Sequence, residues 1–278
     1  MKHYLTFNEK LGVIFIYIKR SAKLLARFKV SFFISFIAMF VQIAIFYYIN
    51  VFIGNVSGYG DYFSFVIIGL TVNQFMQTTL TTYLQTMHSI YWGNWLEILL
   101  TSPTRTNTFF SAVMTWNYLM VSMNVIFYFI FGIGIFGASY VFSMSSWLIL
   151  PILILLMISL SGIGLISASM FMLINAKGNL EPIGWGVSTL TGLVAGVYFD
   201  PILLPSGVQE ISKILPQTYA IGAIRRILLS GENLSSAPIQ FAFIYLIIFS
   251  IILLPVGMWM FNLGIKKAER EGSLARWM

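Results

Sequence analysis

Reactive side chains are scarce in this sequence. Its 278 residues include 2 histidines, 9 acids and no cysteine. That removes thiolate nucleophiles, Cys-ligated metals and any disulfide framework. No G-x-x-x-x-G-K-[S/T] phosphate loop, dinucleotide fingerprint or H-E-x-x-H helix occurs. Asp200 and Glu210 are the carboxylates that general acid–base chemistry could use, although helix-end and loop roles suit them better. The other polar groups able to meet a ligand are amides: Gln42, Asn73, Gln74 and Gln77, then Asn117 and Asn124. They could line a path through an apolar medium or hydrogen-bond neighbouring helices. No catalytic residue, cofactor site or metal site is expected, and the chain reads as a non-enzyme.

The elements that carry these groups are set by composition. Hydrophobic residues make up 58% and charged residues 9%, where a soluble domain carries about 25% charge. Mean hydropathy is +0.86. So few charges cannot cover a water-exposed surface of this size, and the expected class is an all-α polytopic membrane protein. A hydrocarbon core about 30 Å thick takes about 20 apolar residues in helix. Six runs qualify: 30–52, 62–84, 109–136, 147–174, 183–199 and 239–262. They are continuous rather than alternating, which selects helices over barrel strands. None holds Asp, Glu, His, Lys or Arg inside it, which weighs against a proton relay or ion-coupled pump.

Charge gives the direction. Of the 16 basic residues, all but Lys213, Arg225 and Arg226 fall on the side that holds both termini. Lys and Arg are retained in the cytoplasm, so both termini are expected there, in a multi-pass prokaryotic cell membrane. The +7 charge thus reads as orientation, not nucleic-acid binding. The expected divisions are a cytoplasmic segment 1–29, a transmembrane domain 30–263 and a tail 264–278. Within 8–28, Leu11, Ile14, Phe15, Ile18, Ala22 and Leu25 share one helical face, and Lys19, Lys23 and Arg27 another. This is the pattern of an amphipathic helix lying in the membrane interface.

Two connections are unusual. Residues 87–107 contain Trp92, Trp95 and Leu99 on a short amphipathic stretch, with Ser102-Pro103 as a helix start. That stretch is either an aromatic belt with a turn or a short helix offered to a cytoplasmic partner. Residues 200–236 begin with Pro201 and Pro205, resume a helical pattern from Val208 to Leu229, break at Leu215-Pro216 and stop at Gly231. They are too broken to cross, and outer re-entrant helices before the last span are expected.

Those two segments also carry a resemblance. Gly93-Asn-Trp-Leu-Glu97-Ile-Leu-Leu-Thr-Ser102-Pro103-Thr-Arg105 is similar to the G-x-x-E-x-L-x-x-[ST]-P-x-x-R segment of type-2 ABC transporter permeases. Leu215-Pro216-Gln-Thr-Tyr219, followed by Arg225 and Gly231, is similar to that family's L-P-x-T-[YH]…R…G segment. The resemblance implies a permease subunit that dimerises with a second copy and carries two ABC ATP-binding subunits, with ATP and Mg2+ held there and not in this chain. It makes Trp92, Gly93, Trp95, Glu97, Pro103 and Arg105 the coupling residues. Pro216, Tyr219, Arg225, Arg226 and Gly231 form the outer re-entrant region, where Arg225 or Arg226 meets an anionic headgroup or ends the helix. Gln42, Asn73, Gln74 and Gln77 are the candidate path-lining residues. The implied activity is outward movement of an amphipathic, lipid-like or drug-like molecule. The alternative is a polysaccharide or lipid-linked glycan exporter of the same family. A channel, or an assembly protein that transports nothing, is the more distant reading.

Overall fold

The computed structural model describes residues 6–56, 60–92, 106–173, 186 and 192–270. Among them the chain is helical except for turns and one pair of two-residue strands. Helix α1, Phe7–Arg27, starts where Thr6 donates its backbone N–H (2.6 Å) and its hydroxyl (2.9 Å) to the Glu9 carboxylate. That satisfies a donor that a helix start otherwise leaves unpaired. A break at Phe28 alone separates it from α2, Lys29–Ile53. The amphipathic pattern read from the sequence is therefore a real helix. Its apolar face is split, with Ile14, Ile18 and Leu25 half-buried and Leu11 and Phe15 exposed. Tyr17 packs edge-on against Phe109, 6.0 Å between ring centres. Phe109 belongs to α4, Thr106–Gly134.

Helix α2 ends at Gly54, whose φ of 70° suits a residue without Cβ. The strands Asn55–Val56 (β1) and Gly60–Asp61 (β2) then pair antiparallel and turn the chain into α3, Tyr62–Trp92. Two side chains close the α3 N-terminus. Asp61 accepts from the Ser64 N–H at 3.0 Å, and Asn50, reaching over from α2, accepts from the Phe63 N–H at 3.1 Å. Every residue from Tyr62 to Val72 is buried. Helix α3 is thus the axis of the bundle and packs on α2, α4 and two later helices. Helix α2 lies further out, held to α4 by aromatic pairs such as Phe36–Phe127 at 4.2 Å and Phe40–Phe131 at 5.7 Å.

A 3-10 turn, Met144–Leu148, leads into α5, Ile149–Leu173. After the segment to Phe199 come a 3-10 turn at Pro201–Leu203, the short helices α6, Ser206–Ile214, and α7, Pro216–Ser230, and the long α8, Ala237–Arg270. Helices α5 and α8 form the most extensive pair in the fold. Their backbones touch: a Cβ on Gly162 would lie 2.3 Å from the Leu253 carbonyl, and one on Gly257 would lie 2.4 Å from the Gly162 oxygen. Ser250 adds a 3.1 Å hydrogen bond to the Leu155 carbonyl across the same seam. Small residues of this kind let helices associate without a hydrophobic drive between them.

Of the six expected spans, the described residues show four. Four helices there are long and apolar enough to cross a membrane: Phe32–Phe52, Thr108–Gly134, Met144–Met170 and Ala237–Lys267. The second expected span is the 31-residue α3, but Asn73, Gln74 and Gln77 make it less apolar than the others. Most of the fifth, 183–199, lies outside the described residues, and its last part bends at 195–199 instead of continuing as helix. The last span runs past the expected edge of the tail. Lys267 is still in α8 and donates to the Leu173 carbonyl at 2.7 Å, where a cation suits the C-terminus of α5.

The glycine seam gives a direct test. Gly257→Val should destabilise the protein by at least about 2 kcal/mol, because backbone cannot retreat as a side chain can. Gly222→Ala, whose added Cβ would meet nothing within 4 Å, should be neutral or mildly stabilising. Thermal unfolding of both variants in lipid nanodiscs reads the difference.

Candidate functional site

Sequence chemistry places α7 locally. Pro216 supplies the first helical position, where its missing N–H costs nothing. Leu215, extended at ψ 124°, separates α7 from α6, and Gly231 ends α7 in the left-handed region at φ 66°. Tyr219 ties the two helices together by donating its hydroxyl to the Lys213 carbonyl at 2.8 Å. Its ring stacks on Tyr245 of α8, 4.3 Å apart and 9° from parallel. A backbone bond from the Val141 N–H to the Leu228 carbonyl, 2.7 Å, fixes the other end against the loop before α5.

The centre of this region is Arg225. It is 2% exposed. Its Nε donates to the Phe65 carbonyl of α3 at 3.2 Å. One terminal nitrogen donates to the Val197 carbonyl at 2.8 Å and the other to the Gly196 carbonyl. The guanidinium also lies 3.4 Å over the Phe65 ring, a favourable place for a desolvated cation. This approach depends on Gly69, where a Cβ would sit 2.0 Å from the Val197 oxygen and 2.6 Å from the guanidinium. One planar, five-donor group thereby joins α7, the 196–197 turn and α3.

The two arginines therefore part ways. Arg225 faces neither a headgroup nor the helix end, which corrects that expectation. Arg226 is partly exposed and pairs with Glu232 at 3.1 Å, just past the α7 terminus. It fills the helix-end role. Asp200 caps the Pro201–Leu203 turn by accepting from the Ile202 N–H at 3.0 Å, and Glu210 pairs at the surface with Lys213 at 2.6 Å. Each of these carboxylates thus serves a helix end or an exposed ion pair.

The amides divide in the same way. Gln42 accepts from the Tyr128 hydroxyl at 2.6 Å, joining α2 to α4. Gln74, half-buried on α3, neighbours that same hydroxyl. Asn73 and Gln77 lie within 3.5 Å of each other on one half-buried face of α3. Asn117 donates to Thr82 at 3.0 Å, and Thr79 meets Tyr118 at 3.0 Å, both between α3 and α4. Of the residues expected to couple to a partner, Trp92 is the last residue of α3. Gly93, Trp95, Glu97, Pro103 and Arg105 lie outside the described residues.

Sequence reasoning missed Gly69, Phe65 and Tyr128. A lone glycine within an apolar run was the available signal for the first, since it marks close approach of another backbone. No group of three or more His, Asp or Glu able to hold a metal occurs among the described residues. No family model matches the chain, and no curated protein does.

The arginine clamp predicts a contrast between neighbours. Arg225→Lys keeps the charge but loses the planar fork, and should cost about 2 kcal/mol or more through buried carbonyls left without donors. Arg226→Lys, at a partly exposed ion pair, should stay within about 0.5 kcal/mol of the parent. Thermal midpoints of the two variants in the same nanodiscs compare them.

Proposed function

We propose that this chain is the membrane-spanning permease subunit of an ATP-driven exporter of the type-2 ABC kind. One observation carries the reading. The segment resembling the family's L-P-x-T-[YH]…R…G motif folds as two short helices broken at Leu215, anchored by Arg225 and stopped at Gly231. It stands directly before the apolar 34-residue α8. A broken stretch of this kind is tolerable at membrane depth only against protein or a wet cavity, and the clamp supplies a protein contact.

In this reading the chain crosses the bilayer six times, with α3 and the 183–199 region as the second and fifth crossings. Both termini are cytoplasmic, α1 lies in the inner interface, and α6 and α7 dip into the outer leaflet and return. Two copies enclose the path, and the half-buried amides of α3, Asn73, Gln74 and Gln77, line it. Helix α2, whose Phe33, Ile37 and Val41 are exposed, offers an apolar face to lipid or to the second copy. Two ABC ATP-binding subunits hold ATP and Mg2+ and supply the energy. Their closure is transmitted through the Gly93–Arg105 connection, with Trp92 and Trp95 packed toward the bilayer and Glu97 facing the partner. The cargo is an amphipathic, lipid-like or drug-like molecule moved outward.

Two measurements test this. The purified chain alone should turn over no ATP, whereas the complex with its ATPase in proteoliposomes should move an amphipathic dye outward only when ATP is present. Current through bilayers containing only this chain would favour a channel instead. In the complex, Glu97→Lys should leave membrane insertion intact but weaken assembly or uncouple ATP turnover from transport, because repulsion replaces an attractive contact. Normal cargo-stimulated ATPase activity in that variant would remove Glu97 from the coupling role.

A further inference from the structure

A second feature lies on the other half of α3. Thr82 lies three and four residues before Gln85 and Thr86, and Ser89 lies four and three residues after them, so the four share one face of the helix. That face borders an open cavity of about 350 Å³ between α1, α3 and α4. Asn117 of α4 and Tyr17 of α1 line it as well, with Phe109 and Val113 as apolar walls. Its volume falls in the range of small-molecule sites.

The lining has a definite chemistry. Thr82 is bonded to Asn117 at 3.0 Å, and the Ser89 hydroxyl donates to the Gln85 carbonyl at 2.8 Å. The Gln85 amide and the Thr86 hydroxyl hold no such bond among the described residues. Apart from the walls, the cavity therefore presents hydroxyls and amides, each able both to donate and to accept. No charged side chain among the described residues lines it. A phosphate or carboxylate would be expected to find Arg or Lys there. An ammonium would be expected to find a carboxylate or an aromatic cage. Uncharged hydroxyls are what this surface matches, and Phe109 and Val113 suit a hydrocarbon stem. Helix α1, with exposed Leu11 and Phe15 on one side and exposed bases on another, forms one wall; read as an interface helix, it sets the cavity where headgroups meet acyl chains.

We infer that the cavity between α1, α3 and α4 is a binding site for an amphiphile with an uncharged polyol head. The head lies against Gln85 and Thr86, and the stem lies along Phe109 and Val113. The site is separate from the amides of the proposed path and stands whether or not the chain exports anything.

The test uses the full chain alone in phosphatidylcholine nanodiscs, with radiolabelled dodecyl-β-glucoside as the probe. Binding should saturate near one probe per chain. Gln85→Leu, at an exposed position that holds no other element, should weaken it at least fivefold, and Val113→Trp, which fills the cavity, should abolish it. Unlabelled glucoside should displace the probe at lower concentration than dodecyl phosphate or dodecyltrimethylammonium. Non-saturable uptake equal in all three proteins would overturn the inference, as would stronger displacement by either charged amphiphile. No ATPase is present, so failure here leaves the export reading untouched, and failure of ATP-driven transport leaves this site untouched.

Discussion

The fold turns on a buried guanidinium. Removing a charge from water is affordable only when its hydrogen bonds are replaced nearly in full. Arg225 meets that demand with three carbonyls drawn from two separate parts of the chain, plus the face of Phe65. The carbonyls of Gly196 and Val197 belong to a turn and need donors of their own, so the debt is mutual. Gly69 makes the meeting possible, because any side chain there would push the turn off α3. Three segments are thus positioned by one group, and moving any of them strands a charge or a carbonyl. The hairpin of α6 and α7 inherits its place from that constraint.

The same accounting governs the rest of the bundle. Where helices meet, polar side chains are spent on one another or on backbone: Gln42 with Tyr128, Asn117 with Thr82, and Ser250 with the Leu155 carbonyl. Where helices must approach most closely, side chains disappear, as at Gly162 and Gly257. These devices replace the hydrophobic drive that lipid cannot supply between helices. What remains is informative by contrast. The amides along α3 and the hydroxyl stripe below them are only partly absorbed by packing, and those are the surfaces on which a ligand can act.

Local chemistry was legible in the sequence, and long-range chemistry was not. Pro216 and Gly231 announce the limits of α7 because proline and glycine act through their own φ. The three- and four-residue spacing of Leu11 to Leu25 announced α1 for a similar reason. Arg225 was misread because its Phe65 partner is 160 residues away, and a cation near the end of an apolar run ordinarily serves that end. Residues 62–84 read as an ordinary span, yet Asn73, Gln74 and Gln77 on a half-buried face lower the apolarity of α3. The coupling motif was the clearest signal of all, but of its residues only Trp92 is among those described.

The clamp is tested most directly by hydrogen–deuterium exchange of the intact chain in lipid nanodiscs. If Arg225 holds α7 and the 195–199 turn to α3, the amides of α7 should exchange as slowly as those of Tyr62–Val72. The largely exposed α6, joined to α7 through Leu215, Tyr219 and the Ser212–Thr218 hydroxyl pair, lacks the clamp and should exchange much faster. Helix α7 exchanging together with α6, well ahead of α3, would show that the hairpin opens as a unit and would contradict the account.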